Sequence, residues 1–344
     1  MTSMADRVRI REVGPRDGFQ NEPDQIPTAV KLEVIEALSN TGLDWIETTS
    51  FVHPKWVPQL ADAEQLCAGL RHREGLDYVA FVPNEAGLDR ASKAGIREVT
   101  CALTASDALN VRNFNRNTAA MLEKVATLHG LARQTDVRIS VTIGAAFGCP
   151  VEGDLPPGRV LELARSLHDA GFDEIGLGDT TGVANPRQVR DLFREALREL
   201  PGVTWVGHFH ETRGTGVANV VAAFDAGIRT FDTSIAGLGG CPFAPGALGN
   251  VSTEDVANVL EEMGVSTGLD IDRLIAAHGL HRLARFGIEA VVHGHGGCEH
   301  ARGFVVHKGR LRRHFLWRHV GLCQRGPRRV QRRRQQGTAG GRAG

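Results

Sequence analysis

Short apolar runs alternate with longer amphipathic segments along most of the chain. Eight of the runs, several of them rich in Val, Ile and Leu, have the length and composition of strands that are buried on both faces. Between them, segments such as TAVKLEVIEALSN and NPRQVRDLFREALREL repeat apolar residues at the spacing of an amphipathic helix. The predicted strands are Val8–Val13, Trp45–Thr49, Asp77–Val82, Glu98–Leu103, Arg138–Ile143, Glu174–Leu177, Val203–His208 and Thr230–Ser234.

A helix end, a glycine and a strand recur together along the chain, in TGLDWIE, AGIREVT, AGFDEIG and AGIRTFD. This phrase predicts a strand–helix unit that repeats about every 30 residues, and eight such units make a (β/α)8 TIM barrel. A doubly wound parallel sheet is the alternative, but the first predicted strand is not followed by the glycine-rich GxGxxG turn of that fold. We therefore predict an α/β protein with the barrel fold.

The repeat stops before the last part of the chain, where the charge also changes. Residues 301–344 contain 13 Lys or Arg and no acidic residue, whereas residues 1–300 contain 27 basic and 40 acidic residues. We predict a barrel domain over residues 1–277 and a basic, poorly ordered tail over residues 278–344. A tail that binds an acidic partner and an aberrant C-terminal sequence are the alternatives.

Composition narrows the class of partner. The acidic body gives no reason to expect nucleic acid, and no apolar run approaches the roughly 20 residues that cross a bilayer. The N-terminus has no apolar stretch of the secretory type. The six cysteines are scattered without a CxxC pair, which is typical of free thiols in a reducing cytoplasm. We expect a cytoplasmic protein with neither a membrane nor a nucleic acid as its partner.

Polar residues follow several predicted strands, at the end where a barrel carries its active site. The seventh strand ends in His208-Phe209-His210, whose two histidines point to the same face because side chains alternate along a strand. Two imidazoles with carboxylate and amide oxygens suit a divalent ion such as Mg²⁺ or Mn²⁺. Asp17 and Asn250 can supply these oxygens, so we predict a metal site. The alternative is that ordinary hydrogen bonds satisfy both histidines.

The stretch VGPRDGFQNE places Arg16 beside Asp17 where the first strand stops. Adjacent side chains of an extended segment point apart, so we expect Asp17 to bind metal while Arg16 stays free to hold an oxyanion. Cys241 lies in a glycine-rich loop that can close over a substrate, and its thiol is a candidate proton donor or acceptor. A simple ion pair between Arg16 and Asp17 and a merely apolar role for Cys241 are the alternatives.

Several segments together resemble the 3-hydroxy-3-methylglutaryl-CoA lyase family. They are VGPRDGFQNE, IETTSFVHPKWVPQLAD, FGCPVEG, GLGDTTGVANP, HFHET and AGLGGCPFAPGALGNVSTED, and the resemblance covers residues 7–262. It implies a (β/α)8 barrel that needs a divalent cation, Mg²⁺ or Mn²⁺. It also implies that Arg16 stabilises an enolate and that Cys241 moves a proton. The implied metal ligands are Asp17, His208, His210 and Asn250; further catalytic residues are Glu47, Asp179 and His208; and substrate-binding residues are Arg16, Gln20 and Arg213.

The resemblance implies cleavage of 3-hydroxy-3-methylglutaryl-CoA to acetyl-CoA and acetoacetate, as in leucine degradation and ketone-body formation. We expect a homo-oligomer, a dimer or a tetramer, that acts on an acyl-CoA. The chain departs from the family pattern at Arg213, where the family often has Tyr, and at Pro23, where it often has Lys. Citramalyl-CoA or another branched 3-hydroxyacyl-CoA is therefore an alternative substrate. A Claisen-type acyltransferase resembling isopropylmalate synthase is an alternative activity.

Overall fold

Eight parallel strands form a closed barrel in the computed structural model, which describes residues 6–240 and 249–286, with side chains up to residue 278. The strands are β1 (Arg9–Glu12), β2 (Trp45–Ser50), β3 (Asp77–Phe81), β4 (Glu98–Thr104), β5 (Arg138–Gly144), β6 (Glu174–Asp179), β7 (Thr204–Phe209) and β8 (Thr230–Thr233). Neighbours in the chain are neighbours in the barrel, and β8 closes it by pairing with β1. The predicted TIM barrel is confirmed, and each strand lies within two residues of its predicted bounds.

The helices of the described residues follow the strands in turn. They are α1 (Thr28–Leu38), α2 (Ala63–Gly69), α3 (Glu85–Lys93), α4 (Asp107–Phe114), α5 (Thr118–Gln134), α6 (Pro157–Asp169), α7 (Pro186–Glu199), α8 (Gly216–Ala226), α9 (Thr253–Glu262) and α10 (Ile271–Phe286). Because α10 continues past residue 278, the predicted boundary between barrel and tail falls inside a helix. The predicted tail from residue 287 onward lies outside the described residues. Among the helices described, none is long and apolar enough to cross a membrane.

The apolar layer between strands and helices determines which side chains of β7 point toward the helices and which point into the barrel. Helix α7 buries Val189, Leu192 and Phe193 at helical spacing. Phe193 packs against Phe209 of β7, with 6.4 Å between ring centroids. Phe209 is fully buried in this layer, and burying such a side chain contributes about 2–3 kcal/mol. Since side chains alternate along a strand, the residues on either side of Phe209 face the interior of the barrel.

A group of ion pairs runs from the middle of the barrel to the end where the strands begin, and we call it the base network. Arg11 of β1 pairs with Asp232 of β8 at 2.7 Å and with Glu174 at the start of β6. Because β6 is not a neighbour of β1, this second pair crosses the barrel interior. At the start of β5, Arg138 pairs with Glu98 of β4. These five residues complete the base network, in which each charge faces an opposite one.

Candidate active site

The first strand leads into a tight helical turn, Gly14–Gly18. The backbone N–H of Asp17 donates to the carbonyl of Val13 at 2.7 Å, which brings the side chains of Arg16 and Asp17 together. Arg16 Nη1 donates to Asp17 Oδ1 at 2.8 Å. The prediction that these side chains point apart is wrong, because it assumed an extended backbone. Gly14 permits the turn, since a Cβ at that position would lie 2.6 Å from the Oε1 atom of Glu12.

The guanidinium of Arg16 is held on three sides. Besides its bond to Asp17, its Nε lies 3.5 Å from Glu47 Oε2, and its Cζ lies 4.1 Å from the centroid of the Phe81 ring. The hydroxyl of Thr100 donates to the other carboxylate oxygen of Glu47. Burial raises the pKa of Glu47, although Arg16 and the bond from Thr100 oppose the rise. Arg16 is therefore a fixed positive charge between two carboxylates.

Strand β7 delivers both histidines to the same place. The Nε2 atoms of His208 and His210 lie 3.3 Å apart, which confirms that the two side chains share a face. Asp17 belongs to the same group, since one ligand atom from each of the three residues lies within 4.8 Å of the others. His210 also forms an isolated β-bridge with Asn250. The structure therefore brings together the four predicted metal ligands.

Asn250 completes the group with an unsatisfied oxygen. Its Nδ2 donates to Asp17 Oδ2 at 2.7 Å and to the carbonyl of Leu238 at 3.1 Å. Its Oδ1 is buried and accepts no hydrogen bond from the described residues. Gly239 lets the backbone come this close, because a Cβ there would lie 2.6 Å from Asn250 Nδ2. A buried oxygen without a donor, beside a carboxylate and two facing imidazoles, fits a shared divalent cation.

The charges around Asp17 keep its carboxylate ionised. Burial alone would raise the pKa of Asp17, but Arg16, His208 and His210 bring it below the usual value, with help from the hydrogen bond of Asn250. A ligand that is already deprotonated can take up a cation without first losing a proton. The ionised carboxylate of Asp17 is therefore in the form that binds a cation.

Asp232, in the middle of β8, is not among the predicted site residues. Its Oδ2 lies 3.3 Å from His208 Nδ1, and its Oδ1 accepts a hydrogen bond from Arg11 Nε at 2.7 Å. Burial would raise the pKa of Asp232, but Arg11 and His208 lower it to about 2. A carboxylate on Nδ1 fixes the tautomer that leaves Nε2 of His208 available to a metal. In the sequence, Asp232 appears as an acidic residue inside the strand that follows the histidine-bearing strand. A search confined to strand ends does not find it.

Glu12, the last residue of β1, is also absent from the predicted set. Its Oε1 accepts hydrogen bonds from the backbone of Gly14 at 2.7 Å and of Ile235 at 2.9 Å. Its Oε2 accepts a bond from the Thr253 hydroxyl at 2.7 Å. Burial raises the pKa of Glu12 to about 8, although these three bonds oppose the rise. Glu12 therefore joins the turn that carries Asp17 to the backbone that follows β8.

The remaining predicted site residues are Asp179, Gln20, Arg213 and Cys241. The carboxylate of Asp179, at the end of β6, accepts bonds from the backbone of the segment that follows, and burial raises its pKa to about 6. Gln20 donates to Asp17 Oδ1 at 2.8 Å. Arg213 is exposed after β7, and its charge lowers the pKa of Asp179 slightly. Cys241 lies outside the described residues.

Comparisons with known proteins give the same picture. Residues 7–280 match the model of the HMGL-like family. The chain is similar to a hydroxymethylglutaryl-CoA lyase of Bacillus subtilis, with 43% identity over 271 residues that make up 79% of this chain and 91% of that protein. It is also similar to an (R)-citramalyl-CoA lyase of Chloroflexus aurantiacus, with 44% identity over 280 residues, or 78% of this chain and 88% of the relative.

A solved structure agrees with these relatives. It is that of an HMG-CoA lyase from Acinetobacter baumannii in complex with coenzyme A and 3-methylmalate, and it matches with a TM-score of 0.77 and 37% identity. The match covers 86% of this chain and 99% of that one. The resemblance to hydroxymethylglutaryl-CoA lyases found in the sequence is confirmed. With a closed barrel, a site of the expected residue types and a family match over most of its length, the chain belongs to the HMGL-like family.

Proposed function

We propose that the protein is a divalent-metal-dependent lyase that cleaves 3-hydroxy-3-methylglutaryl-CoA into acetyl-CoA and acetoacetate. The observation that carries the proposal is the group of Asp17, His208, His210 and Asn250 with Arg16 beside it. Cation ligands next to a fixed guanidinium suit a reaction that develops negative charge on oxygen. A relative of 43% identity that is named for this activity supports it.

The proposed cofactor is Mg²⁺ or Mn²⁺. Two imidazoles, a carboxylate and an amide oxygen suit an octahedral ion better than the thiolate-rich sets of structural zinc. Held by these four side chains, the ion supplies Lewis-acid polarisation of substrate oxygens. Asp232 and Arg11 support the set from behind, because they orient the His208 ring.

The reaction needs a base, an oxyanion partner and an acid. When the tertiary hydroxyl of the substrate loses its proton, the bond between C2 and C3 breaks, and C3 becomes the keto carbon of acetoacetate. The electron pair of that bond forms the enolate of the thioester. A guanidinium is a permanent cation, so Arg16 is the proposed partner of the enolate oxygen. A proton delivered to the enolate carbon, for which we propose Cys241, completes acetyl-CoA.

Two buried carboxylates are the candidate bases. Burial raises the pKa values of both Glu47 and Asp179, and that of Asp179 reaches about 6, so Asp179 can take up a proton near neutral pH. Gln20 and Arg213 are proposed to bind substrate at the edge of the site. A cytoplasmic homo-oligomer with a basic C-terminal tail after the barrel remains part of the proposal.

A second candidate substrate is citramalyl-CoA. The relative of 44% identity that is named for this compound supports it, and Arg213, exposed after β7, is a charged residue where the family often has Tyr. Both substrates are branched 3-hydroxyacyl-CoA compounds that give acetyl-CoA by the same bond cleavage. The residues that hold the metal and the enolate therefore serve either.

A substrate panel tests the proposal. Purified protein is assayed with 3-hydroxy-3-methylglutaryl-CoA and citramalyl-CoA, each with Mg²⁺, Mn²⁺ or a chelator, and acetyl-CoA is measured. We expect metal-dependent acetyl-CoA release, fastest with the methylglutaryl substrate. Free CoA formed from acetyl-CoA and a keto acid, with no cleavage in the panel, would instead identify an acyltransferase.

Arg16→Gln tests the enolate partner within the same assay. Loss of one preorganised oxyanion partner should lower kcat by about 10²–10³ and leave Mn²⁺ affinity nearly unchanged. Arg187→Gln is the matched control, because the Arg187 side chain is 85% exposed on α7. A change confined to KM would make Arg16 a substrate-binding residue rather than an enolate partner.

A further inference from the structure

The backbone after β8 turns through two consecutive residues with positive φ. Ala236 has φ 59° and ψ 15°, and Gly237 has φ 62°. Glycine accepts this left-handed conformation, whereas the Cβ of an L-residue such as alanine disfavours it. Ala236 therefore needs a partner that holds it there. Its backbone N–H donates to both carboxylate oxygens of Glu254, at 3.1 Å each.

Glu254 is held in turn by the helix that follows. It lies in the first turn of α9, and its Oε1 is 2.6 Å from Nδ1 of His278 on α10. The side chains of Glu254 and His278 are 13% and 30% exposed, so the pair is partly shielded from water. On the other side, the N–H of Ile235 donates to Glu12. Two carboxylates from different elements thus bind the consecutive amides of Ile235 and Ala236.

The turn held in this way leads directly to a metal ligand. The carbonyl of Leu238 accepts bonds from both the side chain and the backbone N–H of Asn250, at 3.1 and 3.4 Å. Gly249, the residue before Asn250, lies against the turn so closely that a Cβ on it would be 1.9 Å from the carbonyl oxygen of Gly237. A shift of the turn would therefore displace Asn250.

We propose that Glu254 and His278 are positioning residues that hold the turn at Ala236 and Gly237 and thereby keep Asn250 beside Asp17. Neither residue is among the predicted site residues. The inference rests on the proposed function for its activity readout. It gives α10 a part in supporting the active site.

Glu254→Ala is the first test. Loss of a residue that supports a metal ligand should lower kcat by about 10- to 100-fold and Mn²⁺ affinity by a similar factor. Backbone amide exchange in residues 235–240 and 249–252 should become faster. Glu254→Gln keeps an oxygen for the Ala236 amide, so it should retain most activity. Glu262→Ala is the matched control, because Glu262 is exposed at the end of the same helix.

Ala236→Gly separates positioning from a simple charge effect at the start of α9. Glycine adopts positive φ without strain, so adding this change to Glu254→Ala should restore most of the lost kcat and Mn²⁺ affinity, and alone it should change little. A double variant as weak as Glu254→Ala would overturn the proposal. His278→Ala should cause a smaller loss in the same direction, and unchanged kcat, affinity and exchange would remove His278 from it.

Mn²⁺ affinity and amide exchange do not depend on which substrate the protein cleaves. If the wild-type protein cleaves no 3-hydroxyacyl-CoA, the proposed function fails. Mn²⁺ affinity and amide exchange still report on Asn250 and its support. Equal values of both in wild type and Glu254→Ala would then overturn the positioning role on its own.

Discussion

The base network and the candidate site both contain buried charged residues, but the two regions differ in how completely their polar atoms are paired. In the base network, Arg11 faces two carboxylates and stacks on the ring of Trp45, 4.2 Å from its centroid. In the candidate site, two imidazole nitrogens face each other, and the oxygen of Asn250 accepts no bond from the described residues. A fully paired network rigidifies a fold, whereas a buried oxygen that accepts no hydrogen bond from the described residues is suited to bind something that is not part of the chain.

Asp232 shows that the two ends are not independent. One of its oxygens accepts a bond from Arg11 in the base network, and the other lies beside His208 in the site. A charge buried for stability at one end therefore orients a ligand at the other. Substitutions in the candidate site should mainly affect activity, and substitutions in the base network should mainly affect stability. Substitutions of Asp232 should affect both.

Removing a ligand should have the largest effect. Asp17→Ala should lower kcat by about 10³-fold or more, because a bound metal supplies several kcal/mol of transition-state stabilisation. Mn²⁺ binding measured by calorimetry should be lost, while urea unfolding stays cooperative. Asp225→Ala, at an exposed position on α8, is the control. Near-normal turnover with one Mn²⁺ bound per Asp17→Ala chain would contradict the assignment of Asp17 as a ligand.

Breaking the base network should have the next largest effect, on stability. Arg11→Met fills much of the same space but leaves Asp232 and Glu174 without their buried cation, which should cost about 3–5 kcal/mol of unfolding free energy. Arg9→Met is the control, since Arg9 and its partner Asp44 are 36% and 46% exposed and such pairs contribute up to about 1 kcal/mol. Urea unfolding of the metal-free proteins measures both. Equal losses in the two variants would show that burial of the Arg11 pair adds nothing.

Asp232→Asn tests the connection between the two ends. Loss of the carboxylate that orients His208 should lower Mn²⁺ affinity by about 10- to 100-fold. The ring tautomer of His208, followed by nitrogen NMR, should become mixed. Asp44→Asn removes a carboxylate that pairs with the partly exposed Arg9, so it should leave both measurements unchanged. Unaltered Mn²⁺ affinity in Asp232→Asn would confine Asp232 to the base network.

The most gradual predicted effect, spread over several pH units, is a slope of the unfolding free energy with pH that arises from Glu12. Its folded pKa of about 8 lies above the usual value of 4.5, so the folded state binds the proton more tightly. The unfolding free energy should therefore fall as the pH rises between these values, by at most about 1.4 kcal/mol per unit. Asp179, with a folded pKa of about 6, adds a slope of the same sign at lower pH.

Glu12→Gln isolates this contribution. It keeps the neutral form of the side chain, so its urea midpoints should depend less on pH than those of the wild type. The comparison is sharpest between pH 7 and 8, above the pKa of about 6 at which Asp179 titrates in the folded protein. Parallel pH profiles of Glu12→Gln and wild type would mean that Glu12 does not titrate there.

The barrel and two of the candidate metal ligands could be predicted because both depend on the regular spacing of apolar and polar residues. Alternation along β7 puts His208 and His210 on one face, with Phe209 against the helices, and the structure has this arrangement. The pairing of Arg16 with Asp17 could not be predicted in the same way. It depends on a five-residue helical turn whose coiling no repeat of apolar residues indicates.

Asp232 and Glu12 could not be found from local sequence for a different reason. Both belong to strands, and their partners are distant in the chain: Arg11 is 221 residues from Asp232, and Thr253 is 241 residues from Glu12. Burying an acidic side chain in a strand costs free energy unless such partners bind it. These partners can be identified only once the closed barrel brings the distant segments together.

The hydrogen bond from Asn250 to Asp17 joins residues 233 positions apart. Contacts of such long range form late, because the entropy of closing the intervening chain is lost before they can form. On the ribosome, the turn with Asp17 emerges first and the two histidines of β7 much later. A nascent chain at that point holds three of the four ligands and no closed barrel to orient them. The site is assembled only once β8 has joined β1, so a chain that stops before Asn250 carries its histidines without a place to use them.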